Sequence, residues 1–108
     1  MKVKQFILAA IAALTLSYAD AVASSGNVVV SISNFTFKPG DLQIKAGTKV
    51  VFKNEDDIPH RVAAVDGSFH SKALDTDDQA SFTFNKPGVF AYFCTLHPRM
   101  QGKIVVTP

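Results

Sequence analysis

A chain of 108 residues suffices for a single small domain, and its 47% hydrophobic and 19% charged residues are typical of a globular protein, not a disordered one. The formal net charge is only +2, without the dense basic stripe of a nucleic-acid-binding protein. The single cysteine, Cys94, excludes an internal disulfide. Its thiol is therefore expected to be either buried and inert or bound to a metal.

The N-terminal residues have the organisation of a secretory signal peptide. Two lysines lie among the first five residues, and the apolar run Phe6–Leu16 follows. Small residues then provide cleavage sites after Ala19 or Ala23. The apolar run is too short to cross about 30 Å of hydrocarbon as a helix. We therefore predict a signal peptide over residues 1–23, a mature domain over residues 24–108 and export to the bacterial periplasm.

The mature part of the chain alternates between short β-like runs and turns. Valine, isoleucine, threonine and aromatic residues are frequent in these runs, and Gly or Pro marks many of the turns between them. The runs cover residues 27–33, 34–37, 41–44, 48–54, 61–65, 79–84, 89–93 and 103–106. Residues 66–78 are patterned more weakly and are expected to form a turn of helix or an irregular loop. We predict an all-β fold, a Greek-key antiparallel β-sandwich of seven to eight strands.

A soft set of metal ligands lies between the last two predicted strands. Cys94, His97 and Met100 offer a thiolate, an imidazole and a thioether within seven positions. Thiolate and thioether favour copper, especially Cu(I), and imidazole suits both oxidation states. Taken singly, a lone Cys or Met is usually just a buried apolar side chain. Their combination in an exported β-domain without another thiol indicates a blue-copper centre, which still needs a second histidine.

Two other histidines are candidates for this missing ligand. His60 follows Pro59 at the start of a predicted strand, where the proline restricts the backbone. His70 lies in the weakly patterned region among serine and lysine residues, with nothing to orient it. A histidine at the start of a strand is more often an ordinary surface or core residue than a ligand. We favour His60, and the role of His70 stays open.

Two segments together resemble the ligand motifs of the cupredoxins. These segments are Asn54–His60 and Cys94–Met100, and the similarity extends from about Val28 to the C-terminus. The two-residue gaps on either side of His97 are most similar to the short ligand loop of the amicyanin branch. Plastocyanins and pseudoazurins carry more residues between this histidine and the methionine.

The resemblance implies a cofactor and a set of residue roles. It implies one copper ion in a type 1 site, with His60, Cys94 and His97 as equatorial ligands and Met100 as the long axial ligand. It also implies that Asn54 ties the first ligand loop to the Cys94 loop by hydrogen bonds. The implied function is the transfer of single electrons between redox partners, so we do not expect an enzyme.

Two positions depart from the amicyanin pattern and bear on the choice of partner. Leu96 stands where that branch usually has proline, and Arg99 replaces an aromatic residue. We expect His97 to reach the surface within an apolar patch of Leu96, Pro98 and Pro59. Arg99 at its rim would steer a redox partner with an acidic margin. The expected partners are a dehydrogenase, a cytochrome or an oxidase, and the carrier is expected to be monomeric.

Two other functions fit parts of the pattern. A copper chaperone or storage protein would use similar soft ligands, usually in a more open site rich in Met or His. Met100 is the only methionine of the predicted mature domain, which counts against this alternative. A metal-free interaction module would make the ligand residues coincidental.

Overall fold

The computed structural model describes residues 26–108, and the predicted signal peptide lies outside these residues. Within this range the chain forms eight strands. They are β1 (Asn27–Ser33), β2 (Thr36–Lys38), β3 (Asp41–Lys45), β4 (Thr48–Asn54), β5 (Val62–Ala64), β6 (Gln79–Phe84), β7 (Gly88–Cys94) and β8 (His97–Thr107). No helix in the described range is long and apolar enough to span a membrane.

The strands form two four-stranded sheets, with the orders β2-β1-β4-β6 and β3-β8-β7-β5. The predicted all-β sandwich is confirmed, but its sheets are mixed instead of purely antiparallel. β1 pairs with β4, and β3 with β8, in parallel. The path of the chain explains the first of these pairs. The chain leaves the first sheet after β2, forms β3 in the second sheet and returns as β4 beside β1.

Alternate residues of the strands point inward and form a core shared by the two sheets. β4 shows this pattern most clearly, because every second residue of the strand is buried. At the centre Phe52 packs against Phe37 and Tyr92, with ring centroids 6.2 and 5.2 Å apart. Phe82 and Phe84 face inward from the same side of β6, as their alternation predicts. Burial of one such large apolar side chain contributes about 1.5–3 kcal/mol to folding.

The weakly patterned segment over residues 66–78 is an irregular loop. Isolated bridges connect it to the region around β5, one between His60 and Leu74 and one between Ala63 and His70. The Ser71 side chain accepts a hydrogen bond from the Val62 backbone N–H at 3.0 Å and is itself buried. The loop is therefore bonded along β5 and along the residues that connect β5 to His60.

The ligand segment is a tighter hairpin than the sequence pattern predicts. β7 ends at Cys94 and β8 begins at His97, so only two residues form the turn. Cys94 is paired with His97, whereas the preceding residue, Phe93, is paired with Gln101. The three residues between His97 and Gln101 therefore bulge from the ladder. Residues three apart in a regular strand face opposite sides, so this bulge lets His97 and Met100 line one groove.

Candidate metal centre

Three of the four predicted ligands meet at one end of the sandwich. The Cys94 Sγ atom lies 3.7 Å from His60 Nδ1 and 3.8 Å from His97 Nδ1. The potential ligand atoms of the three residues all lie within 4.8 Å of one another. His60 and Cys94 are fully buried, and His97 is half-buried. The site is therefore closed to solvent on the side of His60 and Cys94. Of the three residues, only His97 reaches the side that is open to solvent.

The structure separates the two candidate histidines. His70 is exposed, and its backbone forms the bridge with Ala63 on the loop beside β5. Among the described residues, the possible metal ligands that cluster together are His60, Cys94 and His97, and His70 is not one of them. His60, not His70, is the histidine that the fold brings to Cys94.

The pairing of β5 with β7 explains how His60 reaches the thiol. Val62 lies opposite Cys94 in this antiparallel pair, so the residues immediately before Val62 pass over the end of β7. The Arg61 backbone N–H donates a hydrogen bond to Cys94 Sγ at 3.4 Å. The sulfur is therefore oriented both by its own strand and by a donor from the neighbouring segment.

Met100 lies beside this group. Its side chain is 5% exposed and belongs to the same buried cluster as Cys94. Together with its neighbours it also lines an open groove of about 470 Å³ at the surface. The residues that line the groove are Phe35, Leu96, His97, Pro98, Arg99 and Met100.

The side chain of Asn54 is buried and makes three hydrogen bonds. Its side-chain amide donates to the carbonyl oxygens of Ile58 and Leu74, both at 2.9 Å. Its side-chain oxygen accepts from the Asp56 backbone N–H at 2.9 Å. Both amide protons are thus used within the first ligand loop and on the 66–78 loop. Asn54 thus shapes the loop that carries His60, and these hydrogen bonds do not include the predicted tie to the Cys94 loop.

Asp56 contacts the site but was not singled out from the sequence. Its carboxylate accepts a hydrogen bond from His60 Nε2 at 2.8 Å and others from the backbone N–H groups of Asn34 and Phe35, at 2.7 and 3.0 Å. Burial of the carboxyl opposes ionisation, but the hydrogen bonds from Phe35, Asn34 and His60 outweigh it and hold the Asp56 pKa below its ordinary value. No sequence signal distinguished Asp56 from its neighbours Glu55 and Asp57.

The contact with Asp56 favours one tautomer of His60. An ionised carboxylate can only accept hydrogen bonds, so the proton of the neutral imidazole lies on Nε2. The lone pair of Nδ1 is then free and directed towards Cys94. A carboxylate on the outer nitrogen is a common way to fix and strengthen a histidine ligand of a metal.

Phe35 also contacts the site, although nothing in the sequence indicated it. Its ring meets the ring of His60 edge-on, with centroids 5.6 Å apart, and the ring of His97 edge-on at 5.1 Å. It lies in the turn between β1 and β2, far from both ligand segments in sequence. Only the tertiary structure could place it there.

The three donor atoms fit one metal ion. Ligands bound at about 2.0–2.3 Å in a trigonal plane stand about 3.6 Å apart, close to the spacing of Sγ from the two Nδ1 atoms. One thiolate with two imidazoles in a plane is a donor set typical of copper, and a thioether is available from Met100. The described residues therefore match a type 1 copper site in both geometry and chemistry.

The chain belongs to the cupredoxins: the family described as the cupredoxin-like domain matches residues 6–106. Among characterised relatives, amicyanin-alpha of Methylorubrum extorquens is 36% identical over 104 residues, covering 90% of this chain and 87% of the relative. The resemblance to cupredoxins of the amicyanin branch is thereby confirmed.

Solved structures agree with this family. An oxidised amicyanin variant matches with a TM-score of 0.70 and 31% identity, over 73% of this chain and 80% of that one. A copper-containing nitrite reductase from Thermus scotoductus matches with a TM-score of 0.72 and 32% identity. That match covers 76% of this chain but only 22% of the reductase, so it supports a shared domain and not the activity of the whole enzyme.

Proposed function

We propose that this protein is a small type 1 blue-copper electron carrier. His60, Cys94 and His97 provide the trigonal plane, and Met100 provides the weak axial sulfur. The observation that supports this most directly is the convergence of two Nδ1 atoms on one buried thiol at 3.7 and 3.8 Å. Copper bound there would supply a one-electron couple between Cu(I) and Cu(II).

The surroundings of the ligands suit electron transfer because they resist movement. His60 has no exposed surface, its ring is held by Asp56, and its backbone exchanges two hydrogen bonds with Leu74, at 3.1 and 2.7 Å. Cys94 is held by its strand and by the Arg61 N–H. Ligands that stay in place when the charge of the metal changes keep the structural cost of electron transfer small.

His97 is the proposed point of electron exchange, and the surface around it is the proposed docking face. Leu96 is 49% exposed and Phe35 is 52% exposed, and both line the groove beside His97. We propose that this apolar face, with Pro98 and Pro59, makes a brief contact of small area with redox proteins. Arg99 lies on the rim, where a positive charge steers a partner with an acidic margin.

The burial of the ligands favours a carrier over a copper chaperone. A chaperone must pass its ion to a partner, which requires ligands that the partner can reach. His60 and Cys94 both have 0% exposure, and Met100 has 5%. We also propose that residues 1–23 direct export to the periplasm and that the mature protein acts as a monomer.

Copper titration of the metal-free protein tests the proposal. One equivalent of Cu(II) should produce intense visible absorption from the copper–thiolate bond. Cys94→Ser should lack this absorption and lose reversible electron transfer, while its far-UV circular dichroism remains that of the wild type. His70→Ala serves as the control and should keep the absorption. An intensely coloured Cys94→Ser protein, or a colourless wild type with one bound copper, would contradict the proposal.

A further inference from the structure

One carboxylate connects two parts of the metal centre that are distant in sequence. Asp56 accepts the Nε2 proton of His60, and it also accepts the two backbone N–H groups of Asn34 and Phe35. Its side chain is only 15% exposed. A shift of the turn between β1 and β2 would therefore disturb the hydrogen bond that orients His60.

The turn that Asp56 holds has an unfavourable backbone conformation. Ser33 is paired with Thr36, so Asn34 and Phe35 alone connect the two strands, and each has a φ of 55°. Two-residue turns with positive φ at both positions favour the sequence Asn-Gly. Asparagine tolerates this conformation, whereas a bulky residue such as phenylalanine rarely adopts it. The two hydrogen bonds to Asp56 help to hold the turn in place.

Burial in the core does not explain a phenylalanine at this position. The Phe35 side chain is 52% exposed, and its ring contacts the imidazoles of His60 and His97. It therefore stands between the solvent and the two rings that face the thiol. Backbone strain that has no packing reason is often found where function requires a particular side chain.

We propose that Asp56 is a positioning residue for the metal centre and that Phe35, held in its turn by Asp56, covers the site against solvent and competing ligands. The inference rests on the proposed function only in taking copper as the metal. The carboxylate fixes His60 and places a negative charge on its outer side, which stabilises Cu(II) relative to Cu(I). The phenyl ring slows the entry of water and chelators along the face that His97 shares.

The cover is tested by a pair of glycine variants in the same turn. Phe35→Gly removes the ring and the strain together, whereas Asn34→Gly changes the adjacent residue of equal φ and leaves the ring in place. Copper(I) removal by a chelator in excess should be severalfold faster for Phe35→Gly and unchanged for Asn34→Gly. Equal removal rates for the two variants would overturn the role of Phe35. Because glycine adopts this backbone readily, metal-free Phe35→Gly should unfold at no lower temperature than the wild type.

The positioning role is tested by Asp56→Asn against Asp57→Asn, an equal charge change at an exposed neighbour. We expect Asp56→Asn to raise the reduction potential and to weaken metal affinity by about 10- to 100-fold, the usual effect of losing such a partner. Asp57→Asn should change both only slightly. Equal effects of the two substitutions would show that general charge, not the contact with His60, is responsible, and would overturn the role of Asp56.

A measurement on the metal-free protein keeps this inference separate from the proposed function. In nitrogen-15 NMR spectra, His60 of the wild type should carry its proton on Nε2, and this proton should exchange slowly with water. Asp56→Asn should accelerate the exchange severalfold, and Asp57→Asn should not. Equal exchange in all three proteins would overturn the inference even if the copper site is blue. A colourless wild type with slow exchange would instead refute the blue-copper function alone.

Discussion

The two histidines of the metal centre are held in different ways. His60 has no exposed surface, its outer nitrogen is bonded to a carboxylate, and its backbone is paired with Leu74 in both directions. His97 is half-buried at the start of β8, beside a two-residue turn and an open groove. Both direct Nδ1 at the same sulfur from nearly the same distance.

Fixing a ligand firmly and exposing it to a partner are incompatible demands on one residue. The groups that immobilise His60 also bury it. A surface histidine can communicate with a partner, but it must be held mainly by its strand and by the metal. Under the proposed function, the loop before β5 anchors the metal and the hairpin between β7 and β8 exchanges electrons with the partner.

Replacement of either histidine by glycine should have the largest effect on the metal centre. Both variants should lose the copper–thiolate absorption. Free imidazole should restore it in His97→Gly, whose vacated position is open to solvent, and should fail to do so in His60→Gly, whose position is buried. Visible spectra with and without imidazole measure the difference. Restoration of both variants, or of His60→Gly alone, would contradict the assignment of the closed and open sides.

Met100→Gln tests the ligand that the bulge of β8 turns inward. A thioether favours Cu(I), whereas an oxygen donor favours Cu(II), so the substitution should lower the reduction potential. Voltammetry measures the shift, and the spectrum should still report a copper–thiolate bond. A potential that stays constant or rises would argue against an axial role for Met100.

Substitutions at the rim of the groove test the role of the exposed surface around His97. Leu96→Asp places a charge within the exposed patch and should slow electron transfer with a physiological partner. Arg99→Glu should slow transfer less and reverse its dependence on ionic strength, because rim charges mainly affect the association rate. Stopped-flow rates at several salt concentrations distinguish the two. Rates that ignore both changes would mean that electrons leave by another face.

Tyr92→Phe should have the smallest effect and should leave both histidines untouched. The Tyr92 hydroxyl is buried without a hydrogen-bond partner among the described residues. Removal of an unsatisfied buried hydroxyl should raise the free energy of unfolding by about 1 kcal/mol. Chemical denaturation measures this change, with the copper spectrum as the control. A clear loss of stability would indicate that the hydroxyl has a partner after all.

The same tyrosine predicts a pH dependence. Burial, together with the negative charge of Asp41, raises the Tyr92 pKa well above its ordinary value of 10.0. Because the folded state keeps the proton that the unfolded state releases, stability is intact below pH 10 and falls as the pH rises above it. The Phe variant should lack this part of the alkaline loss.

Much of the fold could be predicted from local pattern. The predicted runs coincide with β1, β4 and β6 because β-branched and aromatic residues are concentrated in these three segments, and in β6 the alternation of Phe82 and Phe84 also specifies the buried face. The parallel pairing of β1 with β4 could not be predicted, since it depends on where the chain crosses between the sheets. The extension of β8 back to His97 was missed because Pro98, which cannot donate to a ladder, lies within it.

The site was predictable to the extent that its residue types are rare. The histidine, cysteine and methionine residues are few enough for their spacing to be informative. Asp56 and Phe35 were not predictable, because acidic and aromatic residues are common in this chain and only tertiary contacts give these two a role. The hydrogen bonds of Asn54 also depend on tertiary contacts: the resemblance implied a tie to the Cys94 loop, whereas the side-chain amide donates to the carbonyl oxygens of Ile58 and Leu74.

Because of the bulge at the start of β8, the number of residues between His97 and Met100 can change during evolution. The ladder pairs Cys94 with His97 on one side and Phe93 with Gln101 on the other, so the residues between lie outside both pairings. An insertion there would lengthen the bulge without shifting the register of either strand. The distance in sequence between the surface histidine and the axial methionine can therefore change while the sandwich, the thiol and the buried histidine remain as they are. Such independence lets edits to a single short segment change the position of the methionine while the rest of the scaffold is kept.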